Sequence, residues 1–101
     1  MLLSSIQSYT VWTMIHYYAV VASMKTVRHS LRNRKQLGLA IRRHRDEMGV
    51  SQEVFAEITG CHRNYVGLLE RGEQNVTIDM LTRVAEALGC TVTDLVGEAG
   101  L

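Results

Sequence analysis

The chain has 101 residues, 47% of them hydrophobic and 21% charged, with a formal net charge of +1. That length allows one domain with one modest core, and the apolar share is that of a globular protein rather than a disordered or fibrous one. Proline is absent, and the two cysteines, Cys61 and Cys90, lack CxxC spacing; this argues for a mostly helical chain with reduced, buried thiols in the cytoplasm and against a disulfide-stapled secreted fold.

Charge is unevenly spread. Residues 1–45 hold 8 of the 11 Lys and Arg and none of the 10 acids, whereas residues 46–101 hold 3 basic and 10 acidic residues. Such asymmetry suggests one face or arm for an anion and another for solvent or partners. Residues 1–24 contain no Asp, Glu, Lys or Arg. Their most apolar part, Val11–Met24, is 14 residues long, short for a bilayer span, and is interrupted by His16 and two tyrosines. If all 24 uncharged residues were helical they would reach across a bilayer, with the basic cluster on the cytoplasmic side. A secretory signal is disfavoured, because no positive residue precedes the apolar run. Met24 opens MKTVRHSLRNRKQLG, a natural start for a shorter chain. The leading expectation for residues 1–24 is therefore an over-long start or a poorly ordered tail; membrane association and a packing or dimerising helix are the alternatives. Lys25–Lys35 has five basic residues in eleven. It reads equally as an arm following a phosphate backbone or as a solvated linker or exposed helix start. Residues 1–35 thus form an N-terminal extension, apolar over 1–24 and basic over 25–35, ahead of a domain at 36–101.

The first helix of that domain is expected over Lys35–Met48, with Leu37, Ile41, Arg45 and Met48 on the core stripe and Gly49 as C-cap. Ser51 is a good N-cap for a second helix that turns Phe55, Ala56 and Thr59 inward and ends at Gly60. A third helix runs from His62 to Arg71 and stops at Gly72. On it His62, Val66 and Leu69, with Tyr65 beside them, pack inward, while Arg63, Asn64, Gly67, Leu68 and Arg71 face outward. After a loop at 72–76, Thr77 caps a fourth helix whose Ile78, Leu81, Val84, Ala85 and Leu88 form the apolar stripe, ended by Gly89. Thr93 is expected to cap a fifth helix, Asp94–Glu98, with Leu95 and Val96 packing on the bundle or on a second subunit.

The outward face of the third helix suits a nucleic acid. Arginine donates twice to guanine and asparagine pairs bidentately with adenine, so Arg63 and Asn64 near the helix start can meet base edges in a major groove. Tyr65 can bond to a phosphate or stack beside one, Gly67 keeps the face low, and Leu68 and Arg71 complete it. Ser51 and Asn75 are further phosphate candidates, with cap and turn roles that can coexist. His62 and Cys61 adjoin, but a zinc site needs four compatible ligands and no other close Cys or His pair is present, so no metal is expected. The chain also lacks a glycine-rich phosphate loop, a nucleophile elbow and a His–carboxylate cluster, which leaves neither cofactor nor enzymatic chemistry to assign.

The blocks LGLAIRRHRDEMGVSQ (Leu37–Gln52), FAEITG (Phe55–Gly60), RNYVGLLERG (Arg63–Gly72) and NVTIDMLTRVAEALG (Asn75–Gly89) together resemble the helix-turn-helix of the lambda-repressor-like (Xre) family of bacterial and phage regulators. The resemblance covers residues 36–96, and the run RNYVGLLERGEQNVTI is most similar to controller proteins of restriction–modification systems. It implies an all-α, five-helix DNA-binding domain, a regulator of transcription that binds a symmetric operator on double-stranded DNA as a homodimer. It also implies a phosphate anchor at Gln52, an ion pair between Arg45 and Glu70, and activation or repression according to site occupancy and contact with RNA polymerase. The rival reading is an antitoxin-like or membrane-tethered protein-interaction module on the same fold, since residues 36–101 carry 6 basic against 10 acidic residues.

Overall fold

The computed structural model describes residues 2–101, and of residues 2–9 and 26 the backbone alone. The expectations for Met1, and for the side chains of residues 2–9, lie outside the described residues. The fold is all-α, with five helices: α1 (Leu2–Met48), α2 (Gln52–Thr59), α3 (Arg63–Glu70), α4 (Ile78–Leu88) and α5 (Val92–Glu98). The first helix begins much earlier than the expected Lys35. No proline or glycine occurs before Gly38, so nothing in the covalent chain interrupts an i→i−4 ladder. Lys25–Lys35 is therefore helix and not loop.

The chain divides into two compact units, Met1–Ser30 and Leu31–Leu101. The first is helix throughout its described length, with Val11, Trp12, Ile15, Tyr17, Tyr18 and Val20 all exposed. Its described side-chain contacts are local: the rings of Trp12 and His16 lie 3.8 Å apart, and His16 Nδ1 is 2.8 Å from the Trp12 carbonyl. Among the described residues no helix is long and apolar enough to cross a membrane.

The second unit holds the core. Leu37, Ala40 and Ile41 of α1 pack with Phe55 and Ala56 of α2, Val66 and Leu69 of α3, Leu81 and Val84 of α4, and Leu95 of α5. Two residues placed on the apolar stripes by periodicity stay outside. Met48 is exposed, because Arg45 takes the inward position of the last turn and Val50 packs from the loop that follows. Ile78 is 72% exposed at the first position of α4, where Val76 and Met80 pack instead.

Caps set the helix ends. Ser51 Oγ accepts the Val54 N–H at 3.1 Å, and Thr77 Oγ1 accepts that of Met80 at 3.2 Å, as expected. The fifth helix differs. Thr91, not Thr93, is its cap, accepting the Asp94 N–H at 3.0 Å while Asp94 Oδ2 accepts the Thr91 N–H at 3.1 Å. This reciprocal capping box satisfies two end donors at once, which one hydroxyl at Thr93 could not do. The bonds from Thr91 hold the Asp94 carboxyl below its ordinary value, the backbone bond most strongly.

Helix α1 crosses the end of α3 at backbone contact. A Cβ on Gly38 would lie 2.5 Å from the carbonyl oxygens of Leu69 and Glu70, and one on Gly72 would lie 2.7 Å from the Lys35 Cα. Gly72 also has φ +72°, so it meets both a steric and a conformational demand for glycine.

Candidate nucleic-acid interface

Two short helices at a tight turn form the site. Helix α2 ends at Gly60, which takes φ 73° and donates back to the carbonyls of the last turn. Cys61 and His62 complete the turn, and α3 starts at Arg63. His62 does not pack inward as its position on the expected stripe suggested. It is the exposed N-cap of α3, its Nδ1 accepting the Asn64 N–H at 3.2 Å. The helix starts one residue later than expected, and this removes His62 from the helical face. Val66 and Leu69 are buried as predicted, and Tyr65 is half-buried against the core. Burial, with Cys61 adding to it, pushes the Tyr65 phenol above its usual value, so at neutral pH it is a neutral hydroxyl.

A buried polar cluster fixes α3 to its neighbours. Arg45 Nε donates to Glu70 Oε2 at 2.7 Å and Arg45 Nη2 to Glu70 Oε1 at 2.8 Å, a two-bond fork. Arg45 Nη1 donates to the Val50 carbonyl at 2.8 Å, tying down the chain between α1 and α2. Both residues of the pair are buried, and the bond to Glu70 is the main cause that raises the Arg45 guanidinium above its usual value. The pairing that the family resemblance implied is thus present. Gln52 joins the cluster, its Nε2 donating to Glu70 Oε1 at 3.2 Å. One amide hydrogen of Gln52 is engaged there, and the other stays available at the start of α2.

The remaining candidates lie as follows. Arg63 and Asn64 are exposed at the start of α3. Arg63 Nη1 meets Glu53 Oε1 on α2 at 2.8 Å, with both side chains 63% exposed. Periodicity carries no signal for Glu53, because a contact between helices leaves no trace in the spacing within either one. Gly67 is not part of an open face. It is buried, since the Arg71 guanidinium lies over it: an added Cβ would sit 3.2 Å from Arg71 Nη1 and 3.7 Å from Gln52 Oε1. Leu68 is half-buried, while Arg71, Ser51 and Asn75 are exposed. Arg71 Nε donates to Glu73 Oε2 at 3.2 Å. Among the described residues no three His, Cys, Asp or Glu side chains could together hold a metal ion.

A capped short helix, a glycine turn and a second short helix tied to α1 by a buried ion pair define a helix-turn-helix module. Comparison with known proteins agrees. The helix-turn-helix family model HTH_3 matches residues 41–95. The chain is 44% identical over 61 residues to control protein C.SmaI of Serratia marcescens, covering 60% of this chain and 73% of that one. It is 39% identical over 46 residues to control protein C.BamHI of Bacillus amyloliquefaciens, covering 46% of this chain and 57% of that one. Among solved structures, the clp gene regulator ClgR from C. glutamicum superposes with a TM-score of 0.65 at 37% identity, over 67% of this chain and 87% of that one. The restriction–modification controller protein C.AhdI from Aeromonas hydrophila gives 0.59 at 36% identity, over 60% and 92%. The chain belongs to the helix-turn-helix family, in its lambda-repressor-like (Xre) class of DNA-binding transcription regulators.

Proposed function

We propose that the protein is a cytoplasmic, sequence-specific regulator that binds a symmetric operator as a homodimer and acts as a controller of neighbouring genes. The observation that carries this reading is the start of α3. Arg63 and Asn64 stand exposed there, on a helix held rigidly by the buried Arg45–Glu70 pair. Those two side chain types discriminate guanine and adenine through their major-groove edges. Gln52 at the start of α2, with Ser51, Tyr65, Arg71 and Asn75, then contacts the phosphate backbone and sets register, and Leu68 lines the approach.

The dimer follows from how little one copy can read. An eight-residue helix presents two base-reading side chains near its start. One copy therefore discriminates few base pairs, and a second copy on the next major groove, ~34 Å away, doubles the reading. Occlusion of a promoter represses, and contact with RNA polymerase beside one activates. A footprint on a duplex enriched from a random-sequence pool tests the proposal. Two inverted half-sites separated by about one helical turn are expected. Protection of a single unrepeated site contradicts the dimer, and no retention of duplex at any salt contradicts the DNA reading and favours a protein-interaction module.

A further inference from the structure

Beside the outer face of α3 lies an open cleft of about 600 Å³ between the α1 turns at 31–36 and the chain at 71–73. Arg32, Arg34 and Lys35 line one wall, and Arg71 and Glu73 the other. The ion pairs among the described residues engage Arg42, His44, Arg45, Arg63 and Arg71. None engages Arg32, Arg34 or Lys35. Like charges three residues apart on a helix repel by a few tenths of a kcal/mol unless an anion sits between them, and Arg32 and Lys35 have that spacing.

The two walls meet at backbone contact. Gly72 meets the α1 backbone at Lys35 so closely that no Cβ fits. The neighbouring Arg71 lies over Gly67 on the stripe that begins at Arg63. The cleft is therefore continuous, through Arg71, with the face offered to the groove. Its cations are mostly guanidinium groups, whose planar fork fits a phosphate oxygen pair.

We propose that this cleft takes a backbone phosphate of the bound duplex, so that DNA contact extends past the helix-turn-helix onto α1. The inference rests on the DNA-binding reading above. In the free protein Glu73 occupies Arg71; on binding, the phosphate replaces that carboxylate.

The test is a salt series with the full chain and a duplex enriched from a random-sequence pool. Arg32 and Lys35 are exposed, so Arg32→Ala with Lys35→Ala leaves the core intact, and circular dichroism confirms folding of each variant. The slope of log affinity against log salt is expected to fall by about 1, the share of one lost phosphate contact. Glu73→Gln is expected to tighten binding at low salt, a direction that structural damage does not produce. Arg83→Ala, a cation removed from α4, leaves the slope unchanged. An unaltered slope in the folded double variant, or an equal fall per cation in Arg83→Ala, overturns the cleft while leaving the DNA reading in place. If the wild-type chain retains no duplex, both readings fail together.

Discussion

Arg45 shows how a single residue can be misread from composition. Eight basic residues lie in the first 45, and an arginine among them suggests an anion contact. Its position on the inward stripe of α1 says otherwise, and the structure buries it against Glu70. A buried pair adds little net stability compared with apolar residues, but breaking it leaves an uncompensated charge, which costs about 3–5 kcal/mol. Arg45→Ala and Glu70→Ala should each destabilise by that order in denaturant melts. The double variant should lose far less than the sum, and simple additivity would contradict the coupling. Gln52 is the residue whose surroundings the sequence could not give. Its amide bonds to Glu70, a residue 18 positions away, so its half-buried state depends on tertiary contact. The burial of Gly67 was hidden for the same reason, because the Arg71 side chain that covers it is placed by the fold.

At the scale of the helix, start and stop signals were the most legible part of the chain. Ser51, Gly60, Thr77 and Gly89 all cap where the local chemistry says they should. The misplaced ends have local causes. Thr91 with Asp94 is a T-x-x-D box, a readable signal that outweighs the lone hydroxyl of Thr93. His62 is a less ordinary cap, since its ring accepts the Asn64 N–H only through an unprotonated Nδ1. An aspartate there keeps the acceptor and adds a favourable charge at the helix N-terminus. His62→Asp should therefore raise stability by about 0.5–1 kcal/mol, seen as an upward shift in Tm. A lower Tm would mean that the imidazole makes some other contact that matters more. The start of α1 was not legible, because periodicity within Lys35–Met48 marks where the helix meets a core and not where it begins.

At the scale of the molecule, the core lies within Leu31–Leu101, and every residue proposed to touch DNA lies there too. The apolar residues exposed on the unit Met1–Ser30 add nothing to that core. A chain beginning at Met24 should accordingly fold and bind the same duplex with equal affinity. Loss of either would assign residues 1–23 a part in the working protein. The class of fold was legible because blocks of helix caps and apolar spacing recur in one order over most of 36–96. The Glu53–Arg63 contact was not, because it joins exposed side chains of two different helices.

The central claim is that the start of α3 reads bases while the start of α2 holds phosphate. The measurement that tests it most directly is affinity of Arg63→Ala and Gln52→Ala against a panel of single-base variants of the enriched duplex. Arg63→Ala should cost ~1–3 kcal/mol and relax the preference at one base pair of each half-site. Gln52→Ala should weaken every duplex by a similar factor, because a phosphate contact carries no direct sequence information. If Arg63→Ala instead keeps the whole preference profile and loses overall affinity alone, Arg63 is a backbone contact, and the assignment of α3 as the reading element through that residue is contradicted.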